Sequence, residues 1–439
     1  MRIAYICADP GIPVFGNKGA SVHVQEVVRA LLRRGARVDL FAARIGGAVP
    51  AGLEDVPIHA LPPIPRGDQA TRERAALAAN AGLRAALMRE DPFDLVYERY
   101  SLWSFAGMAY ARATGVPGLL EVNAPLIEEQ ARHRGLVHLA DAEQVATKVF
   151  GAATVLLAVS EGVASYLKGH PAAPDSVHVV PNGVDPHRFR PGLVPALPGC
   201  PGTFTVGFLG SLKPWHGLEV LAEGFSLLRQ RDPGARLLIV GDGPERERLI
   251  ADLAAWDVVN AVFFAGAVTP QEVPAWLASM DVAVAPYPKL DNFYFSPLKV
   301  YEYMAAGVPV VVSQVGQLTD LIEDGVNGVH VPPGDAIALA NTLAGLRNDS
   351  GLRARLGPAG RATVLRNHTW DAVAERILAL GGFKPEHIGT KQPPVSGHSG
   401  LALLQDSYRS SPLLNRRTRL ARPFYRSTVE ATDGRISDV

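Results

Sequence analysis

The chain is poor in cysteine. Cys7 and Cys200 are the only two in 439 residues, and neither stands in a metal or redox spacing. That excludes a disulfide scaffold and a zinc ribbon, and makes a reducing, cytoplasmic setting the expectation. An excess of one charge is also missing. The 43 basic side chains balance 43 acidic ones, so no basic field points to nucleic acid as a partner. No apolar run reaches the roughly 18 residues that span a bilayer. The opening MRIAYICADPG lacks the long apolar core of a secretory signal. A soluble intracellular protein without a transmembrane segment is expected.

What the chain does have is alternation. RIAYICA, ARVDLFAA, FDLVYER, PGLLEV, ATVLLAVS and VHVVPNG are short apolar runs bounded by turn residues. Helical stretches separate them, the clearest being SVHVQEVVRALLRRG, which should stop at Gly35. After the Pro/Gly-rich linker PGLVPALPGCPG (191–202) the pattern restarts with FTVGFLG, a helix from about Leu218 to Arg229, RLLIVGDG, VVNAVFFAG, a helix around Gln271–Ser279, and DVAVAPY. Strands alternating with helices predict an α/β fold of two Rossmann-like parallel-sheet domains facing each other across a cleft. The expected divisions are 1–195, 203–368, a helix at 369–382 packing back toward the first domain, and an extended or disordered tail at 383–439. Ligands in such sheets bind outside the carboxyl ends of the strands, so the cleft is the expected site.

Within the second half, DNFYFSPLKVYEYMAAGVPVVVS (291–313) carries a helix start. Ser296 suits the N-cap and Pro297 the first helical position. Lys299 and Glu302 follow three apart and share a face. A cation and a carboxylate beside free helix-start amides could hold the phosphate and sugar ends of a nucleotide.

Taken in order, GNKGASVHVQEVVRALLRRG, VVPNGVD with Phe189, GFLGSLKPWHG, IVGDGPER and SPLKVYEYMAAGVPVVVS resemble the family 4 glycosyltransferases over about residues 1–382. The resemblance implies the GT-B fold and a retaining, metal-independent transfer from a nucleotide sugar. That sugar is a substrate, so neither a cofactor nor a metal is expected. On this reading Gly16 and Gly19 lie against the diphosphate or the transferred sugar, their glycines allowing close backbone approach. Gly210, Ser211, Lys213 and His216 line the phosphate turn. Ser211 and His216 occupy the positions where the family carries Arg and Lys, so Lys213 and Lys299 become the phosphate cations, with His216 a third when protonated. Tyr294, Ser296, Pro297 and Leu298 lead into the donor-binding helix, and Glu302 accepts from the ribose hydroxyls. The family's first acid would stand at Tyr294, which leaves Asp291 or Asn292 to substitute, or the donor sugar to be an unusual one. The base is expected near Gly266–Val268.

On the acceptor side, Asn123 stands where many relatives carry His, and the leaving phosphate would then take the acceptor proton. Asn123, Lys213 and Lys299 are the expected catalytic residues; Glu121, Asn123 and Glu128, with Glu129 nearby, are the acceptor-binding candidates. The acceptor is expected to be a soluble small molecule or glycan. The arginines 29, 33, 34 and 37 cluster near the first helix and leave peripheral membrane contact as the lesser reading. A nucleotide-sugar epimerase and a non-catalytic sugar-nucleotide-binding protein are the rival functions.

Overall fold

The computed structural model describes residues 1–190, 192–290 and 293–383. The tail beyond Phe383 and the candidates Asp291 and Asn292 lie outside the described residues. The first half runs β1 (Arg2–Cys7), α1 (Gly19–Arg33), β2 (Arg37–Ala42), β3 (Ile58–Ala60), α2 (Gln69–Arg89), β4 (Leu95–Arg99), α3 (Ala106–Thr114), β5 (Gly118–Val122), α4 (Leu126–His133), α5 (Leu139–Ala152), β6 (Val155–Ala158), α6 (Glu161–Lys168) and β7 (Val177–Val179). Its seven strands pair in parallel in the order β3-β2-β1-β4-β5-β6-β7.

The second half runs β8 (Phe204–Leu209), α7 (Leu218–Arg231), β9 (Ala235–Val240), α8 (Arg246–Ala255), β10 (Val262–Gly266), α9 (Val273–Leu277), β11 (Val282–Ala285), α10 (Leu298–Ala305), β12 (Val310–Ser313), α11 (Leu318–Leu321) and β13 (Val329–Val331), then α12 (Ala336–Asn348), α13 (Ser350–Asn367) and α14 (Trp370–Leu380). Its sheet is also parallel, in the order β10-β9-β8-β11-β12-β13.

The central strands explain the continuous apolar runs. β1, β4, β5 and β8 are covered on both faces and bury nearly every residue, as parallel strands between helix layers must. In both sheets the strand order reverses beside the first strand, between β1 and β4 and between β8 and β11. Loops leaving the carboxyl ends of these strands diverge there and open a crevice. The glycine loop after β1, the 210–217 turn after β8 and the loop after β11 all emerge at these points. Topology therefore delivers three separate motifs to one place.

α14 packs against α1. Trp370 is buried and meets His23 edge-on at 5.1 Å. Arg33 Nε donates to Asp371 Oδ1 at 2.8 Å and Arg34 Nη2 to Glu375 Oε2 at 2.8 Å, while Arg29 donates to Glu26 and to the Ala51 carbonyl. Three of the four clustered arginines thus make intramolecular contacts. No described helix is long and apolar enough to cross a membrane. The linker is pinned as well: Leu197 N donates to Ser279 Oγ at 3.0 Å, and Arg236 Nη2 donates to Leu197 O at 2.7 Å.

Candidate active site

Lys299, the second residue of α10, decides the character of the cleft. It is 8% exposed, and its Nζ has no hydrogen-bond partner among the described residues. The ammonium sits 4.2 Å from the Phe208 ring centroid and 5.6 Å from that of Tyr287. Ring faces attract a cation but do not neutralise it. Burial lowers its pKa to about 7, only partly opposed by Glu302. Gly210, at φ +139°, lets the backbone lie directly over this group: a Cβ there would come within 3.0 Å of Nζ. Further along the turn, a Cβ at Gly217 (φ +68°) would collide with the Pro286 carbonyl. The turn after β8 and the loop after β11 can pack together only because residue 217 is glycine. The 241–245 turn braces the same structure, with Leu212 N donating to Asp242 O at 3.0 Å.

Two helix starts converge here. Neither α1 nor α10 has a side-chain N-cap, so their first amides are free to bind an anion. Gly19 at the head of α1 faces Leu298 at the head of α10, a Cβ on it falling 3.8 Å from Leu298 Cδ1. Ser21, in the first turn of α1, is fully buried with its Oγ unpartnered. Gln25 clamps the glycine loop by donating to the carbonyls of Val14 and Gly16, each at 2.9 Å.

Lys213 is half-buried at the mouth, its Nζ 5.8 Å from the Trp215 ring centroid. Ser211 is exposed beside it. His216 departs from expectation. Its Nδ1 lies 2.6 Å from the Ser211 carbonyl, and burial together with the charges of Lys299 and Lys213 pulls its pKa down to about 3. A ring held neutral beside two lysines is not a third phosphate cation. Its Nδ1–H instead fastens the turn.

Glu302 is half-buried, with no hydrogen bond to its carboxylate among the described residues. Burial raises its pKa to about 7 against the pull of Arg188; Glu26 raises it further and Lys299 opposes. Such a group is an acceptor waiting for donors.

The loop into α10 also differs from expectation. The helix begins at Leu298 with Pro297 in the cap position, one residue late, and Ser296 does not cap it. Ser296 is turned to the other domain: Asn182 N donates to its Oγ at 3.1 Å, and Asn182 Nδ2 to its carbonyl at 2.6 Å. Tyr294 is turned the same way, which corrects its expected place beside the donor sugar. Its carbonyl accepts from Ser160 Oγ at 2.7 Å, its hydroxyl donates to Glu129 Oε2 at 3.1 Å, and its ring packs on the first domain's core. The loop is a strap across the cleft. Tyr294→Phe should therefore change stability by no more than about 1 kcal/mol and leave nucleotide affinity unaltered in calorimetry. A tenfold loss of affinity would return Tyr294 to the donor.

On the acceptor side, Glu121 was expected to meet the acceptor. It is 4% exposed and already saturated. Arg99 Nη1 donates to Oε1 at 2.8 Å, His23 Nε2 lies 2.7 Å from Oε2, and Tyr97 OH and Asn123 Nδ2 donate as well. Burial would raise its pKa, but His23, Arg99 and Tyr97 together hold it well below the ordinary carboxylate range. Glu121 is the hub that orients its neighbours. Asn123, with its amide nitrogen spent on Glu121, keeps its carbonyl oxygen for the cleft. Glu128 is exposed on α4, while Glu129 holds the strap.

Sequence reasoning missed His23, Gln25, Glu26 and Arg188, while Arg99 stood at the end of FDLVYER, a strand end that could line the cleft. The signal was present for three of them, since His23, Gln25 and Glu26 are polar residues in buried positions of an otherwise apolar helix. Beside the start of β1, Asp39, His59 and Glu90 group as metal ligands would. Arg2 already bridges the two carboxylates there, at 2.8 and 3.0 Å.

The model for Glycosyltransferase Family 4 matches residues 17–188, and that for Glycosyl transferases group 1 matches residues 203–349. A D-inositol 3-phosphate glycosyltransferase of Acidothermus cellulolyticus is 31% identical over 85% of this chain and 86% of its own length. The chain belongs to glycosyltransferase family 4. This family 4 enzyme shares its GT-B fold with sucrose-phosphate synthase of Thermosynechococcus elongatus (TM-score 0.70, 21% identity, 87% of this chain and 98% of that one). It shares it equally with Anabaena HepE, solved with UDP and glucose (TM-score 0.66, 21% identity, 86% and 98%). In this family 4 enzyme, three of the motifs that carry the resemblance, the glycine loop after β1, the 210–217 turn after β8 and the loop after β11, emerge at the two switch points.

Proposed function

We propose that the protein transfers a sugar from a UDP- or GDP-linked donor to a hydroxyl of a small polar acceptor, with retention at the anomeric carbon and without a metal. One observation carries the reading: a buried, unpartnered ammonium, Lys299, stands among two uncapped helix starts and the glycine turn. An anion completes that arrangement, and a diphosphate presents its charges over the same span. Lys213 at the mouth adds a second cation, and Glu302 accepts from the ribose.

As the glycosidic bond breaks, charge develops on the leaving β-phosphate, where Lys299 and the helix-start amides stabilise it. The acceptor oxygen forms the new bond on the same face. Its proton goes to the departing phosphate oxygen, since Asn123 cannot act as a base and Glu121 has no free valence. No cofactor enters, and we place the reaction in the cytoplasm with the nucleotide sugars. The relatives named for D-inositol 3-phosphate support a small polar acceptor.

The test is a panel of UDP- and GDP-sugars with and without polyol and sugar acceptors. Acceptor-dependent release of the nucleoside diphosphate, with an unchanged anomer by NMR, is expected. Isomerised donor without acceptor would mean an epimerase, and binding without turnover a non-catalytic protein. Glu302→Gln should weaken nucleotide binding about tenfold to a hundredfold, the worth of hydrogen bonds to a charged acceptor. Unchanged affinity in calorimetry would remove the ribose assignment.

A further inference from the structure

α4 opens just after Asn123, and none of its 8 residues is fully buried. Contacts from across the cleft set its place. Glu129 and His133 stand four apart on this helix and so share one face. Glu129 Oε2 accepts from the Tyr294 hydroxyl at 3.1 Å, and the His133 ring lies 5.8 Å from that of Trp215 in the turn after β8. The two footholds are joined on the far side. Tyr294 and Phe295 meet at 4.4 Å, and Phe295 lies nearly parallel to Trp215, at 6.4 Å and 11°. Glu129, Tyr294, Phe295, Trp215 and His133 therefore form a closed circuit between the two domains. His133 is exposed and Trp215 half-buried, which puts their contact at the rim. The inner side of the circuit reaches the phosphate pocket. Lys213 Nζ is 5.8 Å from the Trp215 ring, while Phe295, Phe293 and Tyr287 follow one another at 5.4 and 4.9 Å to the wall beside Lys299.

We propose that this circuit, with Trp215 at its centre, selects the acceptor hydroxyl over water, a role that rests on the transfer reaction proposed above. The chemistry of the site calls for such a device. With Asn123 unable to act as a base and Glu121 saturated, the departing phosphate takes the proton of whichever oxygen attacks. Water would serve as well: its oxygen would bond to the anomeric carbon, the bond to the β-phosphate oxygen would break, and the proton would leave on the diphosphate. Only exclusion of bulk water separates the two outcomes. α4 leads away from the acceptor side and Trp215 belongs to the phosphate turn, so their contact shuts the mouth where both substrates meet. Held by one face, α4 can swing off to admit the acceptor and close behind it. Trp215 and His133 are thus positioning residues that act through closure.

The experiment measures nucleotide release and glycosylated product separately, on the full chain with UDP- and GDP-sugars, with and without a polyol acceptor. His133→Ala and Trp215→Ala should each raise the ratio of donor hydrolysis to transfer by about twofold to tenfold, the weight of one aromatic contact. The double variant should add little to the larger single effect, because both act on the same contact. Trp215→Phe, which keeps a ring, should stay nearer the wild type. An unchanged ratio in either alanine variant overturns the proposal, even where both reactions slow together as a displaced Lys213 would slow them. A failed transfer reading shows separately, as wild-type nucleotide release that no acceptor stimulates. Closure is then read from the Trp215 emission, taken as the difference from the matching Trp215→Phe variant. Acrylamide should quench it more in His133→Ala, and equal quenching overturns the closure.

Discussion

Lys299→Met is expected to lower kcat/KM by about 10²–10³-fold, the usual loss when one preorganised charge-stabilising donor is removed, without lowering the melting temperature of the free protein. The two halves of that expectation have one cause. A buried ammonium with no counter-ion costs the folded state free energy, while methionine fills the same pocket between Phe208 and Tyr287 without a charge. The sign of the pH effect follows. The folded-state pKa of Lys299 is lowered from 10.5 to about 7, so the unfolded chain holds the extra proton between those values. The free protein should gain stability as pH rises through that window, and the methionine variant should lose that slope.

Glu302 runs the other way. With its pKa raised from 4.5 to about 7, the folded state holds the extra proton, and stability should fall as pH rises from 4.5 towards 7. Turnover needs Glu302 ionised and Lys299 protonated. kcat/KM should therefore rise on the acid side as Glu302 loses its proton and fall on the alkaline side as Lys299 does, giving a narrow maximum near neutrality. Lys299→Met should keep the acid limb and lose the alkaline one. Nucleotide should raise the melting temperature of the wild type and not of the variant. A variant with full activity would remove Lys299 from the diphosphate.

Much of the fold was legible because parallel strands buried on both faces leave an unbroken apolar run that turn residues punctuate, as in RIAYIC and FTVGFL. Lys299 and Glu302 were legible for a local reason: spacing on a helix fixes which side chains share a face. Contacts formed by distant chain segments were not. The start of α10 shifted by one residue because Asn182, more than a hundred residues away, engages Ser296 more fully than a helix cap would. Tyr294 turned from the cleft because Ser160 and Glu129 hold it from the other domain. For His216 the sequence left the charge conditional, because its neutrality in the free protein depends on burial beside Lys299, and burial is not written in the local sequence. The clustered arginines on α1 look like a solvated or lipid-facing stripe until Asp371 and Glu375, over three hundred residues on, fold back to meet them.

The same gap between local and distant contacts makes Glu121→Gln a strong test of the acceptor side. The variant keeps the shape of the side chain and removes the charge that Arg99 and His23 face. Breaking a buried pair by removing one partner typically costs about 3–5 kcal/mol, because the other charge stays behind. The denaturation midpoint should fall accordingly. The loss should also depend on pH. Glu121 is held below its ordinary value of 4.5 in the folded state, so its contribution is present above that value and disappears as pH falls through and below it. The glutamine variant should lack that part of the acid sensitivity. A purely structural hub would stop there, but Asn123 takes its orientation from Glu121. Among molecules that remain folded, the acceptor KM should rise severalfold while nucleotide affinity stays near wild type, since no described donor-side residue bonds to Glu121. If nucleotide affinity falls instead, as far as in Glu302→Gln, the hub belongs to the donor half of the cleft and the division of labour between the two sheets is wrong.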